Sequence, residues 1–253
     1  MSNKITLGYC TLNPCEDKPF IENMESTGGN MKIIPKVGYT SICKAYNEIL
    51  DESDTDIVVL CHNDIRMMTK GWNDIIVKLF DKYKNTGIIG LVGSNGWSGG
   101  VWLGNMGGKW LGGRGAQAIG HLIQGVKYGY PFPEYILFSP LFIKNPLVPV
   151  ITVDGLFMAV KKSRLKARFD ERLTGFHFYD VMFTVDNVTK GCMAAVTYQI
   201  LVKHLSDGIQ NDKWREGYMY SKLKYGDPYN VGIELPFGGR EFREKYNKNQ
   251  HYE

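Results

Sequence analysis

One stretch limits the possible folds of this chain more than any other: the apolar run Ile57-Val58-Val59-Leu60-Cys61 stops abruptly at His62-Asn63-Asp64. A run this β-branched, entered from the charged turn Asp51 to Asp56, suits a central strand covered on both faces. Such sheets bind ligands just beyond their strand ends. His62, Asn63 and Asp64 all carry oxygen or nitrogen donors, and Asp64 is a hard anionic ligand for Mg²⁺ or Mn²⁺. The same residues also suit a strand-to-helix turn in which Asn or Asp caps the next element.

The surrounding pattern alternates strands and helices. Ile5 to Cys10 is a short apolar strand leaving through the turn-prone Thr11-Leu12-Asn13-Pro14, and Met31 to Pro35 is a second strand. Ser41 to Leu50 has helical spacing behind a Thr40 or Ser41 cap. Trp72, Ile75, Ile76, Leu79 and Phe80 mark one face of a helix across Gly71 to Tyr83, and Gly87 to Val92 is another buried strand. This order predicts an α/β domain with a mostly parallel central sheet flanked by helices. From Ser94 to Pro149 the pattern breaks into a glycine-dense region containing Trp97, Trp102 and Trp110, read here as an insertion in a single domain (94–150). It is either a loop region packed by its tryptophans or an acceptor-side wall, since aromatic faces stack on sugars or bases.

Regular spacing resumes at Ile151 to Val160, a strand broken by Asp154-Gly155 and followed by Lys161-Lys162-Ser163-Arg164. That basic run reads as a solvated face or as phosphate-neutralising charge. Phe169 to Leu173 is a turn, Val181 to Lys190 a helix, and Ala194 to Val202 a strand running into His204. Residues 209–253 form a C-terminal extension with weak periodicity.

Composition removes several functions. Among 253 residues, five cysteines form no metal-type CxxC pair, which argues against a thiolate zinc site and a disulfide framework. A net charge of +4 is below that of a dedicated nucleic-acid binder. No Walker-type loop or dinucleotide fingerprint is present, which removes support for kinase or dehydrogenase chemistry. No apolar run approaches membrane-span length and the first residues lead straight into a strand, so the expectation is a soluble, cytoplasmic protein.

Several motifs now stand in one order: the strand into Thr11, Lys44-Ala45-Tyr46-Asn47, the strand into His62-Asn63-Asp64, Val153-Asp154-Gly155, Phe169-Asp170-Glu171, His177-Phe178-Tyr179-Asp180, and a strand ending at His204. Over Ile5 to Gly208 this order resembles the inverting nucleotide-sugar glycosyltransferases of GT-A (Rossmann-like) fold. The resemblance is to the large cellulose/chitin-synthase-like family, and most closely to its streptomycin-biosynthesis-type (StrF-like) branch. It implies transfer of a sugar from a nucleotide-diphosphate donor to an acceptor hydroxyl, with Mn²⁺ or Mg²⁺ on the diphosphate. His62-Asn63-Asp64 takes the DxD position with only its final carboxylate, Asp64 and His204 would hold the metal, and Asp180 would be the base, with Tyr179 where a Glu often stands.

The nucleotide sugar would then meet Thr11, Asn47, His62, Asn63 and Asp64. The acceptor side would comprise Asp154, Gly155, His177, Tyr179, Trp97 and Trp102. The acceptor would be a glycan, a small molecule or a modified base in DNA. A module that keeps the fold and binds nucleotide sugar or glycan without transfer is the other class left open.

Overall fold

The computed structural model describes residues 4–94, 118–125, 134–138, 146–206 and 211–225. In chain order the elements are β1 (Ile5–Thr11), α1 (Lys18–Gly28), β2 (Lys32–Val37), α2 (Ile42–Glu52), β3 (Ile57–Cys61), β4 (Ile65–Met67), α3 (Trp72–Lys82), β5 (Thr86–Gly90), β6 (Val92–Ser94), β7 (Ala118–Gly125), β8 (Glu134–Phe138), β9 (Leu147–Val150), β10 (Thr152–Val153), β11 (Phe157–Lys161), α4 (Tyr179–Thr189), β12 (Met193–Thr197), β13 (Val202–His204) and α5 (Asp212–Tyr225).

The main sheet runs β2-β1-β3-β11-β5-β12-β9. β2, β1, β3, β5 and β12 share one direction, as expected, whereas β11 and β9 oppose it. β3 sits in the middle, and its alternating side chains divide between two apolar layers. Ile57, Val59 and Cys61 pack with Phe20, Met24, Trp72, Ile76 and Phe80 of α1 and α3. Val58 and Leu60 pack with Tyr46, Ile49, Met182 and Phe183 of α2 and α4. This two-sided burial explains the unbroken apolar run. α2 begins where Ser41 Oγ accepts from the Lys44 N–H, and it lies so close to β1 that a Cβ on Gly8 would be 2.4 Å from Ile49 Cγ2.

A second sheet, ordered β10-β6-β7-β13-β4 with β8 paired to β7, stands beside the first. Here the sequence expectations need correction. The 94–150 region contributes the strands β6, β7, β8 and β9, so it is not only loops. The strand expected from Ala194 into His204 is two strands in different sheets, β12 and β13. The strand expected to reach Asp64 stops at Cys61, which leaves His62 to Asp64 in a turn.

The basic run is neither a solvated face nor a phosphate site. Lys161 pairs with Ile57 at the start of β3, the end remote from His62. Lys162 Nζ donates to the carbonyls of Leu50 and Ser53 at 3.2 and 2.6 Å. Arg164 Nη1 donates to those of Phe80, Tyr83 and Thr86 at 3.1, 3.0 and 2.8 Å.

Asn47 is also structural. It is 3% exposed, its Nδ2 donates to the Phe169 carbonyl and to Glu171 Oε1 at 3.0 and 2.8 Å, and its Oδ1 accepts from the Phe169 N–H at 3.1 Å. Its amide is committed to the 169–171 turn and is not presented to a donor. Asn47→Ala is therefore expected to cost about 2–4 kcal/mol, because it leaves the Phe169 N–H and carbonyl buried without partners. A lower urea midpoint with unchanged m checks this; an unchanged midpoint would return Asn47 to the list of candidate ligand contacts.

The C-terminal extension includes a helix that its weak periodicity hides. α5 stacks Trp214 on Tyr218, and both rings face Phe178, with centroids 5.2 and 6.2 Å away. Lys224 Nζ lies between Asp170 Oδ2 at 2.9 Å and Asp186 Oδ2 at 2.6 Å. These contacts hold Phe178 at φ 63°, a left-handed conformation costly for a bulky residue. No helix among the described residues is long and apolar enough to cross a membrane.

Candidate active site

Four elements meet beyond the carboxyl end of β3. Because β11 runs antiparallel to β3 with Phe157 opposite Cys61, the turn Asp154-Gly155-Leu156 lies directly over the 62–64 turn. The His62 N–H donates to the Leu156 carbonyl at 3.1 Å. β13 then lays His204 opposite Ile65, and the Leu205 N–H donates to the Asp64 carbonyl at 2.9 Å. α4 begins at Tyr179 and Asp180 immediately after Phe178.

The centre of this site is a His–Asp–His group. Asp64 Oδ1 faces His62 Nδ1 at 3.7 Å and His204 Nε2 at 3.5 Å. One ligand atom from each of His62, Asp64 and His204 lies within 4.8 Å of the others, the arrangement of a metal-binding group. The other Asp64 oxygen, Oδ2, accepts from Ser206 Oγ at 2.5 Å. Oδ1 is buried and accepts no hydrogen bond. A buried carboxylate oxygen left in this state is costly unless something cationic meets it, so the donor set fits a divalent cation. Burial pushes the Asp64 carboxyl up, but His204, His62 and the Ser206 hydroxyl outweigh it and hold the group well below the usual carboxylate range. Burial likewise pushes the His62 imidazole down, with Asp64 pulling the other way.

The outer nitrogens of both imidazoles are anchored. His62 Nε2 lies 2.8 Å from the Tyr179 hydroxyl, and His204 Nδ1 lies 3.1 Å from Gln124 Oε1. Tyr179 is 3% exposed, so its hydroxyl serves His62 and does not line an open acceptor wall as expected. Gly155 is required beside it: a Cβ there would stand 2.0 Å from the Tyr179 hydroxyl.

Asp180 sits in the first turn of α4. Its Oδ2 accepts from the Gly155 N–H and its Oδ1 from the Val181 N–H, both at 2.8 Å. Burial and the nearby Asp154 charge push its carboxyl up to about 7, against those two N–H groups. The Asp154 side chain caps its own turn, accepting from the Leu156 N–H at 2.9 Å. The turn thus carries Asp154 and Gly155 next to the candidate base. His177 is half-buried, and its imidazole, lowered by burial, is hydrogen-bonded to Asn211 before α5.

Thr11 and Asn63 turn away from the His–Asp–His group. Asn63 Nδ2 donates to Asp17 Oδ1 at 2.8 Å and Thr11 Oγ1 donates to the same oxygen at 3.1 Å. Asn63 is therefore not a cation ligand; it ties the 62–64 turn to the exit of β1. Trp97 and Trp102 lie outside the described residues.

Sequence reasoning missed Asp17, Gln124 and Ser206, and placed His62 with the nucleotide alone. The two-residue spacing of His62 and Asp64 was a usable signal for a shared cation. Gln124 had none, because its strand lies in the glycine-rich region.

A family model described as "Glycosyltransferase like family" matches residues 15–216. No curated protein matches the sequence. A crystal structure described as GalNAc-T7 with UDP, GalNAc and Mn²⁺ superposes with a TM-score of 0.52 at 10% identity, over 97% of this chain and 54% of that one. The chain thus spans about half the length of that protein. S. aureus TarS 1-349 in complex with UDP-GlcNAc gives a TM-score of 0.53 at 10% identity, over 92% of this chain and 68% of that one. These likenesses show the fold, a large central sheet flanked by helices of the GT-A kind.

Proposed function

This chain belongs to the glycosyltransferase-like family, and on that premise we propose that it moves a sugar from a nucleotide-diphosphate donor to an acceptor hydroxyl in a metal-dependent, inverting reaction. The observation that carries this reading is the placement of the His62–Asp64–His204 group and the buried Asp180 around one turn, Asp154 to Leu156.

Each residue then has a task. Asp64, His204 and His62 hold the diphosphate's counter-cation, Mn²⁺ or Mg²⁺ in the sequence reading. A bound divalent cation supplies Lewis-acid stabilisation for the charge that grows on the departing diphosphate. Asp180 takes the acceptor proton as the hydroxyl attacks; a carboxyl near 7 is matched to that work at neutral pH. Gly155 and Val181 fix both oxygens of that carboxylate with their N–H groups. The Asp154-Gly155 turn borders the acceptor, and a single displacement on the face opposite the leaving group inverts the anomeric carbon. The likeness to TarS in complex with UDP-GlcNAc supports a nucleotide sugar as donor. The order of motifs supports the streptomycin-biosynthesis-type branch, and the two sheets support a single catalytic domain.

A thermal-shift panel of nucleotides and nucleotide sugars, each with and without Mn²⁺, tests this, since a ligand that binds only the folded state raises Tm by mass action. The expected result is a rise only when metal and one diphosphate family are present together, which also identifies the donor base. No shift with any combination would overturn the donor site.

A further inference from the structure

We propose that His62, Asp64 and His204 form a two-imidazole, one-carboxylate site that selects a transition-metal dication of the Mn²⁺, Co²⁺ or Zn²⁺ class over Mg²⁺ and Ca²⁺. This deepens the proposed donor site and rests on that reading for its biological use, though not for its test.

The hydrogen bonds outside the group assign the ligand atoms. The Gln124 amide nitrogen donates to the Ser206 carbonyl at 2.5 Å, which orients Oε1 toward His204. An amide oxygen only accepts, so His204 Nδ1 carries the proton and the neutral ring presents its Nε2 lone pair to Asp64 Oδ1. His62 is held in the same manner through Nε2 by the Tyr179 hydroxyl, which leaves Nδ1 directed inward. Ser206 occupies Asp64 Oδ2, so the carboxylate offers one oxygen. The inner nitrogens stand 3.5 and 3.7 Å from that oxygen. A cation with bonds of about 2.1 Å spans such separations after small movements.

Two nitrogens and one oxygen are the wrong protein set for Mg²⁺ and Ca²⁺, which take oxygen ligands. Imidazole favours later first-row metals, with affinity rising along the series from Mn²⁺ toward Zn²⁺. Anchoring of both outer nitrogens is the arrangement that fixes ligating histidines in orientation. The residue that decides the selectivity is His62, since an acidic side chain there would add a second carboxylate.

The test is metal binding by the full chain with no nucleotide present. Calorimetric titrations with Mn²⁺, Co²⁺, Zn²⁺, Mg²⁺ and Ca²⁺ are joined by the visible d–d spectrum of the Co²⁺ form. Binding of Mn²⁺, Co²⁺ and Zn²⁺ is expected, with Mg²⁺ weaker by about tenfold or more. His62→Asp should narrow or reverse that gap and change the Co²⁺ spectrum. Tyr179→Phe, which keeps the ring and removes the anchor, should weaken Co²⁺ binding about 10–100-fold. Equal affinities for Mg²⁺ and Co²⁺, or a Co²⁺ spectrum and metal ranking unchanged in folded His62→Asp, would overturn the proposal. A chain that binds Co²⁺ as described yet gives no shift with any nucleotide would leave this inference standing and remove the transferase reading alone.

Discussion

Asp180→Asn is expected to lower sugar transfer by about 10²–10⁴-fold, the range a positioned general base contributes, while donor and metal binding stay nearly unchanged. The acceptor hydroxyl ionises far above neutrality, so the reaction needs a group that accepts its proton during attack. Asp180 is built for that: buried, held by the Gly155 and Val181 N–H groups, and pushed up to about 7 by burial and by Asp154. The base works ionised, so the rate of the native protein should rise with pH through about 7 and level above it. Removing the Asp154 charge with Asp154→Asn eases deprotonation of Asp180, and the rising limb should move to lower pH. Single-turnover rates of folded Asp180→Asn across pH decide the matter; a rate and a limb like the native ones would remove Asp180 from the mechanism.

Asp64→Ala should abolish metal binding and metal-dependent donor binding together, each by more than about 100-fold, since losing a ligand exceeds the 10–100-fold cost of losing an outer partner. Asp64 supplies the only carboxylate of the group, and its Oδ1 faces both imidazoles. Titration with Mn²⁺, followed by titration of a nucleoside diphosphate into the metal-loaded protein, separates the two losses. Donor binding retained at native strength in the presence of Mn²⁺ would show that the diphosphate is held elsewhere. The order of effects distinguishes the two aspartates: Asp64→Ala acts before chemistry, and Asp180→Asn acts at it.

Elements whose side chains obey one period were legible from the sequence. β3 was visible because both of its faces are buried, α3 because Trp72, Ile76, Leu79 and Phe80 share a face, and α2 because Ser41 caps it. What failed to show was governed by contacts between distant segments. β12 and β13 read as one strand because their residues are all compatible with extended chain, and only the packing of two sheets decides that the chain leaves one for the other near Ile200. α5 has weak amphipathicity because its anchors are aromatic and ionic pairs to Phe178, Asp170 and Asp186. At the site, Asp64, His204 and Asp180 were visible through an ordered set of motifs. Tyr179 was misread as acceptor-facing because only the three-dimensional approach of Gly155 and His62 reveals its partner. Asn47 was misread because a buried amide that braces a turn looks identical, in one dimension, to one that binds a ligand.

The bond from Ser206 to Asp64 joins residues 142 positions apart. A chain emerging from the ribosome therefore displays Asp64 and His62 long before β13 arrives to supply His204 and the hydroxyl that holds the carboxylate. Until that late strand docks beside β4, the acid and first imidazole lack the partners that complete the group, and the metal has little reason to prefer the nascent chain over water. Capture of the cation then marks completion of the fold: it is withheld from partly made molecules, and by mass action it holds the last-formed strand in place once bound.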